Sequence, residues 1–265
     1  MAQIRWGIIG CGNVTEVKSG PAFNKVADSK LVAVMRRDAA KAADYAQRHG
    51  VPKWYSNAQD LIDDADVNAI YIATPPDSHE TYTLAAIKAG KPVYVEKPMA
   101  LHAASAKAMM EAAQKAAVKL SVAHYRRQQP YFKKVKELLD AKSIGEVLWI
   151  DLRFIQPHRT EMMGNDNNYW RINPSISGGG IFHDLAPHQL DLMRHFFGAP
   201  HAAKGISYNH GNHYNADDVV SGTALLPNNI IFRGLWHFNA PEKAKEYVCE
   251  ICGTRGKLRF SIFGP

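Results

Sequence analysis

In GGGIFHDLAPHQLDLMRHFFG, residues 178–198, three ionisable side chains stand at a spacing that chemistry can use: Asp184, His188 and Asp191 fall at i, i+4 and i+7. If the glycines open a helix, all three share one of its faces. Histidine titrates near neutral pH and can take a proton from a hydroxyl or return it. Asp184 can bind a substrate hydroxyl or hold the imidazole, and Asp191 can support from a turn away. Two other readings fit the same spacing: a metal site of two carboxylates and one histidine, and a helix N-terminal Asp followed by a core His. Upstream, VYVEKPM (residues 93–99) begins as a buried strand and ends on Glu96, Lys97 and Pro98. A lysine there offers three donors and a positive charge to an alcohol or carbonyl oxygen.

A third feature lies at the start of the chain. GIIGCGNVT, residues 7–15, places G-x-G between a first strand and a first helix. Gly10 serves a tight turn, and Gly12 lets a pyrophosphate approach the backbone N–H groups of Asn13 and Val14 at the helix start. Thr15 stands where a third glycine is usual, a position that serves packing more than phosphate contact. The second strand, LVAVM, runs into Arg36 and Arg37, with Asp38 beyond. Two guanidiniums suit a ribose 2'-phosphate, so NADP(H) is expected, with NAD(H) as the alternative.

The elements that must position these residues are legible from pattern. Residues 4–122 alternate short apolar runs with helical stretches, the first helix running to about Ala27, and this implies βαβ units and a parallel sheet. The expected fold is α/β, an N-terminal doubly wound Rossmann domain over residues 1–123. Residues 124–265 read as an α+β domain on a largely antiparallel sheet, serving substrate binding and oligomerisation. No flexible linker separates the two, and a cleft between them is the default site.

Composition narrows the class. Of 265 residues, 46% are hydrophobic and 22% charged, which describes a folded chain. The net charge of +7 is scattered. In its densest stretch, AHYRRQQPYFKKVKELL, Phe132, Val135, Leu138 and Leu139 form one helix face and the lysines the solvated opposite face. An anionic small molecule accounts for the charge more simply than nucleic acid does. No apolar run is long enough to span a bilayer, a strand begins by residue 4 where a signal peptide would lie, and three cysteines suit a reducing compartment. A cytoplasmic protein with no membrane partner is expected. Cys249 and Cys252 form a C-x-x-C within a strand, where residues three apart point to opposite faces, and there is no second pair to complete a zinc site. His183 lies one residue off the helix face and reads as structural, while NHGNHYNADD reads as a polar hairpin connection.

Glu96-Lys97-Pro98, following the early G-x-G and ATPPDSH (residues 73–79), together with the G-G-x-x-x-D-x-x-x-H-x-x-D run ending at Asp191, resembles the Gfo/Idh/MocA family of NAD(P)-dependent oxidoreductases. The resemblance covers nearly the whole chain. It implies a catalytic set of Lys97, His188 and Asp184, a cis Lys97–Pro98 bond and no metal. It implies a cofactor held by Gly10, Gly12, Asn13, Val14, Arg36, Arg37, Thr74, Pro75, His79, Glu96 and Lys97. Tyr169-Trp170-Arg171 resembles a W-R of many relatives: Trp170 would cover the nicotinamide or sugar and Arg171 would bind an oxygen. Tyr125, Asp184 and His188 would complete the substrate site, although the family often carries Asn where this chain has His124-Tyr125-Arg126-Arg127. The implied activity is hydride transfer between the nicotinamide and a secondary alcohol or ketone of a sugar, cyclitol or related polyol. The alternatives are an NAD-dependent glycosidase using transient oxidation and a non-catalytic NAD(P)-binding regulator. A homodimer or higher homo-oligomer through the C-terminal sheet is expected. Relatives run on past the strand that ends KLRFSIFGP, so this chain reads as a short member or one lacking terminal strands.

Overall fold

Strand β1, Ile4–Ile9, becomes wholly buried toward its end, as a central strand of a parallel sheet must. The computed structural model describes residues 3–158 and 169–263, which divide into two units, 1–123 and 124–265. In the first unit β1 is followed by α1 (Asn13–Val17), α2 (Ser19–Ala22), β2 (Ser29–Met35), α3 (Ala39–His49), β3 (Lys53–Tyr55), α4 (Ala58–Asp63) and β4 (Ala69–Ile72). Then come α5 (His79–Lys88), β5 (Val93–Val95), α6 (Ala103–Lys115) and β6 (Leu120–Val122). The strands form one sheet in the order β3-β2-β1-β4-β5-β6, with every neighbouring pair parallel. Strand order reverses at β1 and β4, so the loops after these strands open at the switch point where such sheets bind ligands. β4 shows the period of two: Ile70 and Ile72 join the core on one face and Tyr71 the core on the other, all fully enclosed.

The first helix departs from the expected single helix to Ala27. It breaks at Lys18 into α1 and α2 and ends at Ala22. Pro21 has no N–H to donate to Val17, and Gly20 is pressed against the Thr15 carbonyl and the Tyr45 hydroxyl, so the continuous helix is lost.

The second unit contains α7 (Pro130–Asp140), β7 (Val147–Ile155), α8 (Pro174–Ser177), α9 (Gly180–Phe197), β8 (Ala202–Tyr208), β9 (Val219–Leu226), β10 (Ile230–His237), β11 (Glu246–Gly253) and β12 (Gly256–Phe260). Its sheet runs β12-β11-β7-β10-β9-β8; the β7–β10 pair is parallel and the other neighbours are antiparallel. Ile150, Leu152, Phe154, Phe232, Trp236, Cys249 and Ile251 share one core with Phe132 and Val135 of α7 and Ile181 and Leu192 of α9. A buried hydrogen bond of 2.5 Å from the Trp236 indole N–H to the Gln189 Oε1 pins α9 to the sheet. Among the described residues no helix is long and apolar enough to cross a membrane.

Candidate functional site

In the first unit the site is built from the loops after β1, β2, β4 and β5. Gly10 has φ +95°, and a Cβ there would lie 2.8 Å from the Thr74 backbone nitrogen, so only glycine allows the β1 and β4 loops to approach this closely. At Gly12 a Cβ would meet nothing nearer than 4.0 Å. The loop is therefore open at this position. Thr15, in place of the third glycine, is buried: its Oγ1 donates to the Gly12 carbonyl at 2.8 Å and its own carbonyl accepts from Tyr45.

The two arginines after β2 diverge. Arg36 reaches back to the Cys11 carbonyl at 3.4 Å, whereas Arg37 lines a cleft of about 330 Å³ with Ser56, Asn57 and Tyr82. Asp38 is used as the N-cap of α3, accepting from the Lys41 amide at 3.1 Å, and that bond holds its carboxyl below the usual range.

Thr74 and Pro75 follow β4, and His79, at the start of α5, is fully buried. Its Nε2 lies 2.8 Å from the Thr74 carbonyl and its Nδ1 2.9 Å from the Pro98 carbonyl. His79 therefore ties the β4 loop to the β5 loop, and burial pushes its pKa down. Lys97 stands at the carboxyl end of β5, followed by a cis bond to Pro98. The Glu96 carboxylate is turned inward: it accepts from the Tyr71 hydroxyl at 2.6 Å and from the Lys97 amide at 3.2 Å.

In the second unit α9 brings Asp184, His188 and Asp191 to one buried face. The His188 ring sits edge-on to Tyr125 at 5.6 Å and to Phe263 at 5.7 Å. Both carboxylates are engaged by arginines. Arg171 Nε donates to Asp184 at 3.0 Å; its guanidinium stacks on Trp170 at 4.4 Å and also donates to the Tyr169 hydroxyl. Arg127 makes a bidentate pair with Asp191, one arm at 2.7 Å. The spacing of Asp184 and Asp191 was legible in the sequence; their arginine partners were not, because Arg127 lies 64 residues from Asp191 and Arg171, expected to bind a substrate oxygen, stands in a separate element before α9. Arg127 was visible only as one basic residue in a basic stretch.

His183 packs over Gly179, where a Cβ would fall 2.1 Å from its ring. In the connection after β8, buried Asp218 accepts the His210 and Gly211 amides at 2.7 and 2.8 Å, and the His213 ring stacks on His158. No group of three metal-ligating side chains occurs among the described residues. A larger hollow of about 700 Å³ between α9 and β8–β9 is lined largely by apolar and small residues such as Leu190, Met193, Gly205 and Gly222; Asp191 on its wall is the residue paired with Arg127.

Residues 4–124 match the oxidoreductase family with an NAD-binding Rossmann fold, and residues 132–259 match the GFO/IDH/MocA C-terminal domain. The chain belongs to the Gfo/Idh/MocA family. Oxidoreductase P35 of Formosa agariphila is 49% identical over 262 residues, spanning 99% of this chain and 80% of that relative. The trans-1,2-dihydrobenzene-1,2-diol dehydrogenase of Xenopus laevis is 33% identical over 276 residues, 98% of this chain and 76% of its own length. Among solved structures, myo-inositol 2-dehydrogenase from Lactobacillus plantarum superposes with a TM-score of 0.84 at 25% identity, over 97% of this chain and 76% of that one. This Gfo/Idh/MocA protein is thus an NAD(P)-binding oxidoreductase.

Proposed function

We propose that the protein transfers hydride between NADP(H) and a secondary alcohol or ketone of a sugar, cyclitol or related polyol. The observation that carries this reading is Lys97 at the carboxyl end of β5, its segment held by Glu96 and His79 on the side of the sheet's switch point. Relatives named for a dihydrodiol and for myo-inositol support a CH–OH substrate. The bound nicotinamide supplies the hydride acceptor or donor. Lys97 binds and polarises the substrate oxygen, favouring the charge that develops there. His188 takes the hydroxyl proton during oxidation and returns it in reduction, and Asp184, oriented by Arg171, aligns a neighbouring hydroxyl. Arg37, on the cleft after β2, supports the NADP preference. Lys97→Met is expected to abolish turnover while leaving the NADP(H) dissociation constant within about twofold; turnover that survives refutes the mechanism.

A homodimer through the outer face of the second sheet belongs to the same reading. That face carries both charge signs, with Arg233 on Asp151 at 2.6 Å and Arg153 on Glu246 at 2.8 Å, beside exposed Trp149 and Ile231. A face that carries both signs of charge can meet its own copy about a two-fold axis, and sedimentation velocity measures the state directly. Three free cysteines support a reducing, cytoplasmic setting.

A further inference from the structure

Tyr71 is a polar side chain where the packing asks only for a ring. It is fully enclosed in the middle of β4, stacked on Tyr94 at 5.3 Å and edge-on to Phe23 at 5.2 Å. Phenylalanine would fill this volume, whereas a buried hydroxyl is costly unless it is hydrogen-bonded. Its hydroxyl donates to Glu96 Oε1 at 2.6 Å, and the other oxygen of that carboxylate accepts the Lys97 amide at 3.2 Å. On its far side the hydroxyl lies 3.0 Å from Ser19 Oγ, which is in turn 3.2 Å from the Val14 carbonyl. Inside the first unit a hydrogen-bonded path therefore runs from Ser19 through Tyr71 and Glu96 to the backbone of Lys97.

Tyr71 does not serve as an acid or base, because burial first and the neighbouring Glu96 charge second push its pKa far above any working pH. It remains a neutral phenol, a donor of fixed direction. Glu96 has the opposite need. A half-buried carboxylate with one oxygen unpartnered would rotate toward water, taking with it the acceptor of the Lys97 amide.

We propose that Tyr71 is a positioning residue for hydride transfer: by clamping Glu96 it sets the Lys97 segment. The inference rests on the reading of Lys97 given above. Hydrogen bonds to charged groups are among the stronger ones, so loss of the clamp is expected to slow turnover on the order of 10-fold.

The test is Tyr71→Phe, which keeps the ring packing, measured with a polyol whose oxidation Lys97→Met abolishes. The expected result is a kcat lower by about 10-fold, an NADP(H) dissociation constant within about twofold, and non-additivity with Glu96→Leu, the double variant being within about twofold of the slower single one. A kcat within twofold of wild type, or an effect that adds in full to that of Glu96→Leu, overturns the proposal, since a packing role is indifferent to the residue at 96. Lysine 13Cε NMR, with Lys97 assigned by loss of its signal in Lys97→Met, needs no substrate. In NADPH-saturated Tyr71→Phe the Lys97 resonance is expected to move away from its wild-type position, and an unchanged resonance overturns the proposal whatever turnover shows. Turnover that survives Lys97→Met refutes the mechanism itself, is seen before any Tyr71 variant is made, and removes the proposal with it.

Discussion

Arg37→Gln separates the two arginines that follow β2. Only Arg37 faces the cleft beside Ser56 and Asn57, while Arg36 is spent on the Cys11 carbonyl of the glycine-rich loop. A guanidinium on a phosphate makes charge-assisted hydrogen bonds of about 1.5–3 kcal/mol, and Arg37 is exposed, so the lower end applies, about 1.5–2 kcal/mol. At about 1.4 kcal/mol per decade this is roughly a 10- to 30-fold rise in the NADPH dissociation constant. NADH lacks the 2'-phosphate, and its affinity is expected to stay within about twofold. Arg36→Gln removes a brace of the loop that serves both cofactors, and should weaken both by a similar factor. Fluorescence titration of the wild type and both variants with NADPH and NADH reads all of this. Equal wild-type affinity for the two cofactors, or an Arg37→Gln variant that weakens both alike, refutes the reasoning.

The glycines of the same loop should fail in different ways. Gly12→Val has room for its side chain in the free protein and should leave the melting temperature nearly unchanged while raising the NADP(H) dissociation constant about 100-fold or more by filling the phosphate space; Gly10→Ala, at φ +95° and against the Thr74 backbone, should instead lower the melting temperature by several degrees, which calorimetry distinguishes. Glu16 on α1 accepts from both Nη atoms of Arg48 on α3 at 2.9 Å and lies 2.8 Å from His49, and the Arg48 bonds chiefly hold its carboxyl down to about 2 from an ordinary 4.5. A depressed folded-state pKa means that this contribution is complete above pH 4.5 and is lost as pH falls toward 2. The melting temperature of Arg48→Met should therefore lie below that of the wild type at pH 6, with a gap that narrows through this window; a gap independent of pH would show that Arg48 acts by packing.

Much of the molecule was readable before any coordinates. Alternation of apolar runs with helical stretches, and the position of G-x-G at the first strand's end, depend on periodicities of two and of 3.6 that are local properties of the chain, and β1 to β6 follow them. The i, i+4, i+7 face of Asp184, His188 and Asp191 is legible for the same reason. The first helix escaped that logic because Pro21 and the crowding at Gly20 cut it short, and the second of these comes from Tyr45 in α3. Partner choice escaped it altogether. Arg171 serves Asp184, Arg127 serves Asp191, and Tyr71 holds Glu96, each pairing decided by which side chains the packed sheets and helices bring within 3 Å or so. The sequence by itself determined which groups could do chemistry and on which face of which element they stand, because backbone geometry repeats every few residues. Only the tertiary structure decided which of them are left to face a ligand and which are consumed in holding the others, because hydrogen bonds and ion pairs between residues remote in sequence carry no periodic signal.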